Sequence, residues 1–181
     1  MMKTIFRMQR IMLTVYIVTA VATVIYALAF MTEYQNLFGL RLPLNKEIAQ
    51  FHNVTLQTFN REILAWALGG VVLIAVIFGL EALKTVPDRF ALVVLLAGLG
   101  ALCGSAVYFL LKIPGMESTY GGLNITYLKL EGLKDYQFNF LPFTIGKIVY
   151  AVEAVVCAGN LLTLLTSHIT FIRLGKEVHA G

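Results

Sequence analysis

A chain of 181 residues that is 59% hydrophobic and only 13% charged is too poor in charge for a soluble domain, which carries about a quarter charged residues. The composition is that of an integral membrane protein, and the length suits one small bundle with no separate soluble domain. The net charge of +4 is scattered, without the basic arm or aromatic-basic interleaving of a nucleic-acid binder, so nucleic acid is excluded as a partner and the lipid bilayer is the expected surrounding.

Lys3, Arg7 and Arg10 precede the first apolar run, a span over about 11–31. Ala27-Leu28-Ala29 resembles a signal-peptide cleavage site. The uncharged stretch from Ile11 to Thr32 is nevertheless long for a signal core and right for a retained helix, since ~20 residues cross ~30 Å of hydrocarbon. Tyr16, Thr19, Thr23 and Tyr26, at spacings of 3, 4 and 3, lie on one side of it.

The first loop, 32–62, predicts a helix that runs straight into the second span and lies along the interface or packs on the bundle as a lid. Pro43 turns the chain, Asn45 caps, and Lys46 to Asn60 carries an apolar face of Ile48, Phe51, Leu56 and Phe59 that continues to Ile63. The second span, about 63–80, has small residues but no hydrophilic seam. The third, about 90–111, is rich in small residues, and its Gly100 and Gly104 form a G-x-x-x-G pair that lets backbones approach closely, read as packing inside the bundle rather than homodimerisation.

The second loop, 112–147, opens with Pro114-Gly115, expected to break the third span. Gly121-Gly122, the alternation in Tyr136–Phe140 and the turn residues of Glu131–Asp135 suggest a short β-hairpin, ended by Pro142. Its aromatic residues read as an interfacial cap, since such rings collect at headgroup level.

The fourth span, about 148–172, carries Glu153, Cys157, Asn160, Thr163, Ser167 and Thr170 on one side, at spacings of 4, 3, 3, 4 and 3. Polar groups in hydrocarbon turn toward neighbouring helices, so the first and fourth spans are expected to face each other. Glu153 lies six residues after Lys147, ~9 Å along the helix, at a depth expected for Tyr26 and Tyr108, with Tyr150 one turn away. An intramembrane acid is a functional candidate. Glu153, Asn160, Cys157, Thr163, Ser167, Tyr26 and Tyr108 therefore form a candidate intramembrane polar site, with Glu153 as its protonatable group. The competing reading is an interfacial acid paired with a loop lysine.

Cys103 and Cys157 are read as buried free thiols. His52, His168 and His179 share no metal-ligand spacing and read as interfacial. There is no nucleophile elbow, zinc motif, C-x-x-C or P-loop, so neither a metal, a cofactor nor an enzymatic activity is expected, although scattered polar residues leave enzyme status open. Asn53-Val54-Thr55 and Asn124-Ile125-Thr126 match the glycosylation triplet by a pattern short enough to arise by chance.

With the N-terminus inside, seven basic residues fall in 28 inner positions against seven in the 67 of the outer loops. This predicts cytoplasmic termini; the plasma membrane is the expected setting. Four spans with two large outer loops are similar to the claudin-like layout, but the first loop lacks the tryptophan and two cysteines of that family, so the resemblance is one of layout. The expectation is one all-α transmembrane domain, a four-transmembrane-helix bundle with an extracytoplasmic cap. It would serve as a non-catalytic accessory subunit bound to another membrane protein or to itself; the alternative is a small oligomeric transporter or channel using Glu153 and its seam.

Overall fold

The structure, a computed structural model, describes residues 2–31, 46–82, 89–124 and 138–179. Those residues are helical with short irregular connections, and contain no strand. Helix α1 is Met2–Met31, α2 is Lys46–Gln50, a π-helical segment covers Phe51–Leu56, α3 is Gln57–Ala82, α4 is Arg89–Gly121 and α5 is Leu141–His179. Four helices are long and apolar enough to cross a membrane, over Arg10–Ala29, Phe51–Ile77, Leu92–Gly121 and Leu141–Thr170. Asn45, Pro43 and the hairpin expected around Glu131–Asp135 lie outside the described residues.

Three span boundaries differ from the sequence reading, each for a local reason. The helix of the first loop runs straight into the second span, as expected, through the π-helical segment into α3, and only the start of the span moves back from 63. Of the two placements expected for its apolar face, Phe51, Leu56, Phe59 and Ile63 are buried on the bundle, which lengthens the second span. Pro114 does not break the third span and lies inside α4. A proline removes one backbone donor and crowds one carbonyl, and Pro114 is exposed, so the surroundings can accommodate both. The helix stops instead at Gly121, where Gly122 N donates to Ser118 O at 3.0 Å and Leu123 N to Tyr120 O at 3.2 Å. The fourth span starts at Leu141, with Pro142 in its first turn, where a missing N–H loses nothing. Asn139 Oδ1 accepts from Leu141 N at 3.0 Å, which satisfies an otherwise orphaned donor.

Helix α1 packs between α3 and α5, and α4 packs between α5 and α3. The α4–α5 interface is the most extensive of the four and the α3–α4 interface the thinnest. The buried residues form two apolar clusters. One, around Phe59, Phe109, Tyr120 and Phe143, fills the end where α2 and the π-helical segment lie; the other, around Tyr16, Leu73, Leu99 and Val156, fills the body of the bundle. Along α1 and α5, Thr23 and Glu153 fall between the members of the two clusters. Apolar side chains such as Val18, Val93 and Val155 point outward. In lipid this carries no penalty, because hydrocarbon is as apolar as they are; packing contacts and interhelical hydrogen bonds hold such a bundle together.

Candidate functional site

The polar stripes of α1 and α5 meet. Tyr16, Thr19, Thr23 and Tyr26 are all buried on α1, and Glu153, Cys157 and Asn160 on α5. Thr23 lies within side-chain hydrogen-bonding reach of Glu153, and Tyr16, Tyr150 and Cys157 lie within electrostatic reach of the same carboxyl group. Asn160 Nδ2 donates to Met12 O at 3.3 Å and to Val156 O at 2.9 Å. Its two amide hydrogens thus tie α5 both to α1 and to its own preceding turn. Tyr26 donates to Pro142 O at 3.1 Å and meets the Tyr150 ring edge-on at 5.9 Å.

Most of the seam is satisfied internally. Thr19 and Thr23 donate to carbonyls four residues back, as do Thr163, Ser167 and Thr170. A hydroxyl bonded this way has used its only proton. Tyr16 reaches across to Gly70 O at 3.2 Å, so the second span, which has no hydrophilic seam in sequence, takes part through a backbone carbonyl. The Tyr150 hydroxyl is the exception beside Glu153, being buried with no hydrogen-bond partner among the described residues.

Tyr108 does not join this group. It is exposed on α4, accepts from Lys112 Nζ at 2.7 Å and donates to Glu62 Oε2 at 3.4 Å. Lys112 Nζ lies 2.6 Å from Glu62 Oε2 and 5.5 Å from the Phe59 ring centroid. Nor does Glu153 pair with the nearest lysine on its own helix, because Lys147 bonds Glu117 at 2.9 Å. Cys103 and Cys157 are free thiols, with Cys103 Sγ 3.7 Å from Ala154 O. His52 is buried against Phe51 and Tyr120. Among the described residues no cluster of potential metal ligands occurs.

Among the described residues, nothing packs closely on the G-x-x-x-G pair of α4. A Cβ placed on Gly100 or Gly104 would meet nothing within 4 Å. Close approach occurs at other glycines. Gly146 abuts the Tyr26 hydroxyl, Gly159 lies against Met12 Cε at 2.7 Å, and Gly98 against Leu73 Cδ1 at 2.8 Å, measured from the position a Cβ would take. Gly104 instead lines a groove of about 460 Å³ between α3 and α4, with Glu62, Trp66, Ala101, Ser105 and Tyr108. The sequence reading missed this groove. Its signal was the pair of opposite charges, Glu62 and Lys112, at neighbouring span ends above a run of small residues.

In comparisons with known proteins, no family model, no curated protein and no solved structure matches the chain.

Proposed function

We propose that the protein is a non-catalytic subunit of a larger membrane assembly, built to hold a fixed helical surface in the bilayer. The observation that carries this reading is the closure of the α1–α5 seam. Apart from the Tyr150 hydroxyl, the hydroxyls described along it and its one amide are spent on the protein's own carbonyls, which favours a seam that acts as interhelical glue over a continuous polar path. A small bundle whose core is filled by side chains has little room for a pore. The density of Lys and Arg supports cytoplasmic termini, and a plasma membrane setting belongs to the same proposal.

Purification from native membranes in gentle detergent, with mass spectrometry and the native mass of the complex, tests the reading. Stoichiometric recovery of a second membrane protein supports it; a free homo-oligomer with no companion refutes it. One observation favours the alternative of a small oligomeric transporter or channel, namely the partnerless Tyr150 hydroxyl beside Glu153. Solute or proton flux into liposomes that disappears in Glu153→Gln would establish that alternative.

A further inference from the structure

No polar group described around Glu153 gives it a proton. Glu153 is 7% exposed. Thr23 of α1, 3% exposed, is the side chain within hydrogen-bonding reach of its carboxyl group. A hydrogen bond between two oxygens needs one proton between them. The Thr23 hydroxyl has one, and gives it to Thr19 O at 3.0 Å. Tyr16 spends its own on Gly70 O at 3.2 Å. The Tyr150 hydroxyl keeps its proton but makes no hydrogen bond among the described residues, so it does not donate to the carboxyl group three positions on. Cys103 and Cys157 are free thiols, which are weak donors, and Cys103 Sγ turns to Ala154 O at 3.7 Å. Among the described residues the ion pairs are Lys112–Glu62 and Lys147–Glu117, so no lysine, arginine or histidine of the helices packed around it pairs with Glu153.

An ionised Glu153 would therefore be a buried anion with neither a counter-charge nor a donor, the costliest state for a group removed from water. A neutral carboxyl group removes both deficits. It carries no charge, and it brings the proton that the contact with Thr23 lacks. Thr23 Oγ1 can receive it, because donating to Thr19 O uses the hydroxyl proton and leaves the lone pairs. We infer that Glu153 is a carboxylic acid in the folded protein and that it donates its proton to Thr23 Oγ1. The two hydrogen bonds then run in series, from Glu153 to Thr23 and from Thr23 to Thr19 O, and bonds so linked polarise one another. One proton, held between the first and fourth spans, ties α5 to the backbone of α1. The inference is independent of the subunit reading, since a carboxyl group this deeply buried keeps its surroundings whether the outer face of the bundle meets lipid or a partner.

Infrared difference spectroscopy on the purified full-length protein in lipid vesicles at neutral pH reads this proton directly. The C=O stretch of a carboxylic acid stands apart from the two stretches of a carboxylate. The spectrum of the parent minus that of Glu153→Gln is expected to show a carboxylic acid band and no carboxylate bands. Thr23→Val keeps the shape of the side chain and removes the acceptor. The acid band should persist in it and move to higher wavenumber, as the band of an acid does when its proton loses a partner. Thr166→Val, at an exposed position of α5, should leave the band where it is. If Glu153→Gln does not fold, carbon-13 in the side-chain carboxyl groups of glutamate marks the band in the parent, and its response to Thr23→Val assigns it to Glu153. Carboxylate bands in place of the acid band overturn the proposal. An acid band that Thr23→Val does not move overturns it equally, because the proton then goes to another acceptor.

Discussion

Glu153 has no cationic partner on its own helix, because Lys147, the nearest lysine there, is bonded to Glu117. What remains is an acid held between two apolar clusters, next to a threonine whose hydroxyl proton goes to Thr19 O at 3.0 Å. If packing and hydrogen bonding define its role, the isosteric amide should replace it. Glu153→Gln is expected to change stability by less than about 0.5 kcal/mol, whereas Glu153→Ala, which empties a buried site, should cost about 1–3 kcal/mol. Thermal unfolding in detergent measures both. Asn160 carries the interhelical bond with the widest sequence separation among those described between α1 and α5. Asn160→Leu should cost about 0.6–1.7 kcal/mol, the range of hydrogen bonds between membrane helices. A loss near zero would show that Met12 O and Val156 O gain nothing from the amide.

At the scale of elements, what was readable in the sequence was periodicity. Runs near 20 apolar residues marked four spans, and spacings of three and four placed Thr23, Glu153 and Asn160 on facing stripes. Boundaries were less readable, since an amphipathic extension such as Phe51–Ile63 looks the same whether it lies on a membrane or on a bundle. A proline such as Pro114 reads as a break unless its surroundings are known. Among the small residues of α4, Gly98 meets a neighbour and Gly100 and Gly104 do not. Gly100-x-x-x-Gly104 records that a backbone could be approached closely, not that a neighbour is there. The glycines that matter to packing stood in no motif. Gly146→Ala drives a methyl into Tyr26 and Ile113 and should displace the Tyr26–Pro142 hydrogen bond, costing about 1–3 kcal/mol as overpacking does. Gly104→Ala meets nothing and should stay within about 0.5 kcal/mol of the parent. Paired unfolding curves compare them, and the reverse order would contradict the packing described for both helices.

For the whole molecule, the arrangement of spans has a consequence for synthesis. Helix α1 meets α3 early, through Tyr16 and Gly70. Its bonds to α5 join residues 116 and 148 positions apart. At ~5–20 residues per second, α1 therefore waits roughly 6–30 s in the bilayer before the helix that completes it has been made. During that interval Tyr26 lacks its contact with Pro142 O, and Met12 O lacks the Asn160 amide. Thr19 and Thr23 do not wait, because they bond within their own helix. A chain truncated after Gly121 should keep the α1–α3 contact yet be cleared by membrane proteases much faster than the full chain, as a pulse-chase experiment would read. Co-expression of α5 as a separate segment should restore its lifetime. The last span thus acts as the closing stave of the barrel, and a membrane quality-control system could tell a finished molecule from an unfinished one by whether Tyr26 has found Pro142.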